Sequence, residues 1–356
     1  MSLTVIKAVA GSGKTHQIIN ELDTETKTLI VTYTKSNRDQ IINGTIIKFG
    51  FLPKNIIILT WLEFLFRDLA RPYSNQFSKG MKLDGMDIYT KKENLPNVAG
   101  VTQETSEYYI NSKNQIYDFR LPLFCYKIIV KSSLVLDRLG RLYNKIYIDE
   151  AQDLCGNDYD IVGEVVKKID MIIVGDSFQN TYDTHQTTKY KGKKTGYVDI
   201  FDYIVKNNIP YNPKQLNKTR RFGKNICKFI NDIFPDINME PHEDILDEGF
   251  IDFIYDDEIK SFVSVNKPIA LTYDKNTPKK VHTEKRINIG ESKGLGFTAI
   301  LIYCSKDMLE ACLKKDSSKL AQQTRYKLYV ALSRARKVVG IYINETKNSL
   351  KSDPFF

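Results

Sequence analysis

The chain has one tryptophan, four histidines and five cysteines in 356 residues. Cys125, Cys155, Cys227, Cys304 and Cys312 show no CxxC spacing and no neighbouring histidine, which excludes the usual zinc and iron–sulfur frameworks and reads as reduced thiols in a cytoplasmic chain. There is no internal repeat, no long low-complexity tract and no apolar run long enough for a spanning helix, and no membrane partner is expected. No signal peptide is visible, because Met1-Ser2-Leu3-Thr4 already leads into a strand. Acidic residues are the scarcer charge, 43 against 52 basic ones, and the resulting +9 suits a polyanionic partner without identifying one. Usage leans towards Ile, Lys, Asn and Tyr, as in AT-rich genomes, which points to the cytoplasm of a bacterial or phage-infected cell. Trp61 is expected beneath a sheet rather than stacked on a base.

What is present begins at once. Leu3 to Val9 is apolar enough for a buried strand, Ala10-Gly11-Ser12-Gly13-Lys14-Thr15 follows, and His16-Gln17-Ile18-Ile19 starts a helical pattern. Strand, glycine-rich turn and helix start are the context in which a P-loop holds phosphates. Gly11 and Gly13 free backbone N–H groups to close on the anion, the helix N-terminus adds its dipole, Lys14 reaches the outer phosphates, and Thr15 ligates Mg²⁺. The strict pattern begins with glycine and finds Ala8. Residues Ala10 to His16 are therefore the expected nucleotide cradle.

A second half of the site follows much later. Lys145-Ile146-Tyr147-Ile148 is a strand that delivers Asp149 and Glu150 at its carboxyl end, ahead of Ala151-Gln152-Asp153-Leu154. Adjacent carboxylates at a strand tip suit phosphoryl transfer to water: Asp149 for the Mg²⁺ shell, Glu150 to orient and deprotonate the water. An NTP hydrolase using ATP and Mg²⁺ is the expectation.

The ordered blocks resemble those of superfamily 1 helicases of the UvrD/Rep type, in a compact form. Val31-Thr32-Tyr33-Thr34 is similar to motif Ia, Leu59 to Phe64 to motif Ib, Asp149 to Leu154 to motif II, and Val174 to Tyr182 to motif III. Leu216 to Gly223 resembles motif IV, Ser292 to Phe297 motif V, and Leu328 to Arg336 motif VI. The resemblance implies that Gln179 senses the γ-phosphate and that Arg221 and Arg334 act as arginine fingers, with ATP held between two RecA-like domains. It implies DNA contacts at Tyr33, Thr34, Thr60, Tyr182 and Lys293, the tyrosines by base stacking.

Departures from the family pattern fall on base and sugar recognition. The upstream glutamine motif is not in the sequence, the adenine-stacking tyrosine before the motif IV arginine is Arg220, which could stack on the base only as a guanidinium, and the ribose-contacting glutamate of motif V is Gly296. Loose nucleotide choice is expected. One stacking platform is also replaced, by Thr184 and His185 after Tyr182. The run Lys189 to Tyr197 interleaves lysine with tyrosine and is either a phosphate contact or a solvated loop. The tail Lys351 to Phe356 is either a docking peptide or a frayed terminus.

The expected fold is α/β, with two RecA-like P-loop NTPase domains on parallel sheets. Residues 1–66 and 141–212 would form the first (1A), 67–140 a reduced 1B-like insertion, and 213–356 the second (2A). A 2B-like domain is either a stub near 234–267 or missing, and no nuclease domain is expected after motif VI. Parallel strands are expected near 3–9, 28–33, 55–59, 145–149 and 169–174, and in the second domain near 268–273, 299–304 and 338–343. The resemblance implies an ATP-dependent 3′→5′ helicase or translocase acting on single-stranded and tailed duplex DNA, alongside replication, repair or defence proteins. Two alternatives stay open: a DNA-stimulated ATPase or loader that unwinds little, and an RNA substrate.

Overall fold

The computed structural model describes residues 1–95, 98–179, 191–192, 196–197, 199–274, 278 and 281–345. Tyr182, the motif III segment after Gln179, most of the Lys189–Tyr197 run and the tail 351–356 lie outside them. The chain divides into two compact units: residues 1–7, 14–175 and 183–214 make the first, and residues 8–13, 176–182 and 215–356 the second.

The first unit is built on a six-stranded sheet. Its strands are β1 (Leu3–Ala8), β2 (Thr28–Thr32), β3 (Ile56–Thr60), β4 (Lys145–Ile148), β5 (Asp170–Gly175) and β6 (Asn212–Leu216), in the order β6-β1-β5-β4-β2-β3. The pairings β1–β5, β5–β4, β4–β2 and β2–β3 are all parallel. β2 is buried at every position, as a central parallel strand covered on both faces must be. Helices make the crossovers: α1 (Lys14–Glu21), α2 (Lys35–Phe49), α3 (Leu121–Lys131), α4 (Leu134–Leu142), α5 (Asn157–Val165) and α6 (Ile200–Lys206). α2 starts where Thr34 Oγ1 accepts from Asn37 N and stops at Gly50, whose φ of 79° closes the C-cap.

Residues 67–140 do not form a core of their own. Met81, Tyr109 and Phe124 belong to one continuous apolar cluster with Leu3, Val5 and Leu29 of the sheet. The rings of Phe77, Tyr109 and Phe124 meet at 4.9–5.1 Å. Trp61 lies beneath the sheet, 2% exposed, and its Nε1 donates to Asp158 Oδ1 at 2.7 Å.

The main sheet of the second unit has five strands, β7 (Phe250–Tyr255), β8 (Ile269–Thr272), β9 (Arg286–Asn288), β10 (Phe297–Tyr303) and β11 (Ala335–Ile343), in the order β7-β11-β10-β8-β9, all parallel. α7 (Lys224–Ile233), α8 (Ile259–Asn266), α9 (Lys306–Lys314) and α10 (Gln322–Leu332) cover it. Much of the stub expected near 234–267 is therefore part of this sheet: β7 pairs with β11 along six residues, and α8 folds over it. Gly340 of β11 allows the fit, since a Cβ there would stand 2.7 Å from Phe262 Cζ. β7, an edge strand, alternates as Phe250-Ile251-Asp252-Phe253 with Asp252 exposed. All five cysteines are free, and among the described residues no helix is long and apolar enough to cross a membrane.

Candidate nucleotide site

In the first unit, β4 ends beside the start of α1. Asp149 continues the strand by one bond, its N–H donating to Val31 O at 2.8 Å. That places its carboxylate against Thr15, whose Oγ1 donates to Oδ2 at 3.0 Å. Glu150 then turns through the left-handed region at φ 56°, a strained conformation for a side chain of this size, and its Oε1 comes 4.0 Å from Lys14 Nζ. Gln152 Nε2 donates to the other oxygen of Glu150. Gly175, ending β5, permits this crowding: a Cβ there would meet Gln152 Oε1 at 2.7 Å.

The electrostatics follow from burial. Asp149 is 2% exposed, and desolvation first, then the neighbouring Glu150 charge, raises its proton affinity above the usual carboxylate range. Lys14 and the Thr15 hydrogen bond oppose the shift only in part. A hydroxyl and a charge-short carboxylate 3.0 Å apart fit a hard divalent cation, which would relieve that shortage. Among the described residues no cluster of three His, Cys, Asp or Glu side chains forms a closed metal cage. Mg²⁺ needs none, because it takes one or two protein ligands and completes its shell with phosphate oxygens and water.

In the second unit, the loop Ala8–Gly13 is held by motif IV and motif VI residues. Gly11 has φ 73°, and a Cβ on it would stand 2.6 Å from Thr219 Oγ1 and 2.7 Å from Arg221 Cβ, so only glycine fits. Arg220 N donates to Gly11 O at 2.8 Å. Ser12 Oγ is buried and makes no hydrogen bond, which leaves it open to a ligand oxygen. Ala10 N donates to Tyr329 Oη at 2.9 Å, Tyr329 donates to Asp176 Oδ2 at 3.1 Å, and Gln179 Nε2 donates to the same oxygen at 2.7 Å. This buried relay joins the loop to motifs III and VI. Sequence reading gave Tyr329 no role; its signal is a lone hydroxyl in the apolar stretch Leu328–Leu332.

The arginines differ from one another. Arg221 is half-buried and its Nη1 donates to Ser333 O at 2.9 Å. Arg334 is 1% exposed, with its fork on Val330 O at 3.0 Å, Leu295 O at 3.3 Å, Ser292 O at 3.4 Å and Ser333 Oγ at 3.0 Å. Arg220, expected at the adenine, is exposed and engaged with Asp244 at 2.8 Å and His242 at 2.6 Å. At Gly296 a Cβ would sit in ordinary contact with Arg336 and Arg221, 3.6–3.9 Å away. His16 is exposed and bonds Asn20 at 3.0 Å, one turn on.

The expected nucleic-acid contacts are scattered. Tyr33 is half-buried, Thr34 is exposed but caps α2, and Lys293 is half-exposed after the buried Ser292. Thr60 is 7% exposed, and its hydroxyl and N–H form a reciprocal cap with Glu63. Tyr182 lies outside the described residues.

Residues 51–188 match the UvrD/REP helicase N-terminal domain family. Similar solved structures include a PRRSV helicase, 16% identical at a TM-score of 0.46 over 98% of this chain and 54% of that one. Arterivirus nonstructural protein 10 (helicase) is 15% identical at 0.45, over 96% of this chain and 59% of that one. The same named protein in complex with DNA is 13% identical at 0.44, over 96% and 61%. The chain thus spans 54–61% of the length of these solved chains. A comparison with curated proteins gives no match. Residues 51–188 are thus similar to the N-terminal domain of UvrD/REP helicases, the family whose ordered motifs the sequence resembles.

Proposed function

We propose that the chain hydrolyses ATP, with Mg²⁺, to translocate 3′→5′ along single-stranded DNA and separate tailed duplex. The observation that carries this reading is the pairing of Thr15 with Asp149 at 3.0 Å beside Lys14 and Glu150 at 4.0 Å. Thr15 and Asp149 would hold the cation, which supplies charge neutralisation at the phosphates when bound. Lys14 and the N–H groups of Gly11 to Gly13 hold the phosphate chain. Glu150, kept in place by Gln152, orients the attacking water and takes its proton. Gln179 presents its amide to the γ-phosphate, and Arg221 and Arg334 answer the charge that develops there. Residues 67–140 serve as the 1B-like element, and Tyr33, Thr34 and Lys293 as nucleic-acid contacts. The 3′→5′ direction rests on the Thr-Tyr-Thr form of motif Ia and the DExxQD form of motif II.

A second reading has one observation in its favour. Residues 250–266 are a strand and helix of the second sheet, which leaves little chain there for a separate 2B domain. A DNA-stimulated ATPase or loader that unwinds little would fit that economy. ATPase and strand-displacement assays on 3′-tailed and 5′-tailed duplexes test both. Unwinding of the 3′-tailed substrate alone supports the first reading; DNA-stimulated hydrolysis without displacement supports the second.

A further inference from the structure

The candidate chemistry stands at the carboxyl ends of the first sheet, and the amino ends carry a different feature. β2, β3 and β4 start level with one another, Thr28 pairing with both Ile56 and Lys145. The residues just before them, Lys27, Lys54 and Tyr143, therefore share one rim. A five-residue strand rises about 16 Å, which sets this rim well apart from Asp149. The turn Leu65–Ala70 brings Arg67 and Asp68 to the same place, and α4 brings Arg138 and Arg141. These residues line a cavity of about 560 Å³.

Asp68 organises it. Its carboxylate is buried and accepts from Arg67 Nε and Nη2 at 3.2 and 3.0 Å and from Tyr143 Oη at 2.8 Å, with Arg138 Nη2 3.9 Å away. Arg138 Nη1 also donates to Asp68 O at 3.1 Å. Two guanidinium groups are thus fixed before any ligand arrives. Five cationic side chains line the cavity with this one carboxylate. The nearby acids are engaged elsewhere: Asp137 pairs with Lys168 at 3.0 Å, and Asp23 accepts from the N–H groups of Glu25 and Thr26. Among the described residues Lys27, Lys54 and Arg141 form no ion pair, and all three are exposed.

We propose that this groove is a second nucleic-acid contact that grips consecutive phosphates of a single strand at the end of the first sheet remote from Asp149. Pre-positioned guanidinium forks match phosphate oxygens. The cations spread along a rim instead of converging on one point, and the cavity far exceeds one anion, so a run of phosphates fits better than a free one. No ring is offered for stacking: Tyr143 is 4% exposed and its hydroxyl is used. The contact is therefore blind to base identity. A flat bilayer surface does not enter a concave groove.

The inference rests on the reading that the chain binds nucleic acid, but not on hydrolysis, so its test omits nucleotide. Binding of fluorescein-labelled oligo-dT to the full chain is followed by anisotropy across a salt series, for wild type and Lys54→Glu/Arg141→Glu. Failure of the wild type to bind would count against the nucleic-acid reading itself. The double variant should bind at least about tenfold more weakly and flatten the log–log salt slope by about 1.4, at roughly 0.7 per lost phosphate contact. Hydrolysis without DNA should not change. If the reversed charges prevent folding, Lys54→Gln/Arg141→Gln carries the same test. An unchanged affinity and slope would overturn the proposal. So would full displacement of oligo-dT by inorganic phosphate at matched ionic strength, which assigns a single-anion pocket, or binding of phosphatidylserine vesicles that needs Lys54 and Arg141 while oligo-dT binding does not.

Discussion

Tyr329 donates its hydroxyl to Asp176 Oδ2 at 3.1 Å, and both residues are buried. The same hydroxyl accepts the Ala10 N–H, so one oxygen secures the entry to the phosphate loop and the carboxylate that holds Gln179. Tyr329→Phe keeps the ring packing against Phe178 and Phe234 and removes only that oxygen. It should cost about 1–3 kcal/mol by leaving the Ala10 N–H unpaired. Turnover should fall while KM for ATP changes little, because Gln179 loses its alignment. Thermal melts and steady-state kinetics read the two effects; an unchanged melting temperature would show that water replaces the hydroxyl.

Lys14→Ala removes the phosphate clamp, and Glu150→Gln removes the base while sparing Thr15 and Asp149. Both should abolish hydrolysis, but Glu150→Gln should still bind nucleotide. Filter binding beside an ATPase assay decides it, and near-wild-type turnover in Glu150→Gln would remove the base assignment.

The two candidate fingers should part company. Arg221→Ala should lower turnover by about 10³-fold or more if the residue meets the developing charge, with little loss of nucleotide affinity. Arg334→Ala should lose turnover and also stability, since its buried fork serves three carbonyls and the Ser333 hydroxyl. Equal melting temperatures for the two variants would contradict that difference.

Nucleotide choice should be loose. Arg220 is engaged with Asp244 and His242, and Gly296 offers no side chain, so few groups remain to be left unpaired by a wrong base. GTP should support hydrolysis within about tenfold of ATP, a gap of roughly 1.4 kcal/mol or less. Kinetics with the four ribonucleotides in saturating single-stranded DNA check it; a hundredfold preference for ATP would reveal an adenine-reading group elsewhere.

Trp61 is the only tryptophan and lies in the first unit, so its fluorescence reports that unit alone. Asp158→Ala strands both the Trp61 Nε1–H and the Cys155 N–H, which Asp158 accepts at 2.7 and 3.1 Å. The fluorescence-detected transition should move down by the equivalent of about 1–3 kcal/mol. The second unit, followed by hydrogen exchange at β10 and β11, should not move with it.

Strands β1 to β5 of the first sheet were legible because buried apolar runs such as Leu29-Ile30-Val31 read as central strands, whereas the largely exposed β6 was not. Two strands of the second sheet were not. β9 is three residues long, and β7 carries its polar positions outward like a loop. At the candidate site, Thr15, Asp149 and Glu150 were readable since their spacing is itself the chemistry. The burial of Arg334 and the cap formed by Thr60 were not, because both depend on which groups surround a side chain rather than on its neighbours in sequence. Asp68 gave no signal at all: an aspartate beside an arginine is ordinary until folding puts Tyr143 and Arg138 around it.

The place of β11 in the second sheet bears on how the chain is made. This strand, residues 335–343, sits between β7 and β10, so the inner seam of the sheet is filled last during synthesis. Until it emerges, β7 has no partner strand and one flank of β10 is bare, each an open template for another chain. The β7–β11 pairing spans more than eighty residues of sequence, the kind of non-local closure that slows folding. A ribosome halted before Ala335 would hold a unit unable to assemble its sheet, and truncation there should yield insoluble product rather than a smaller folded protein.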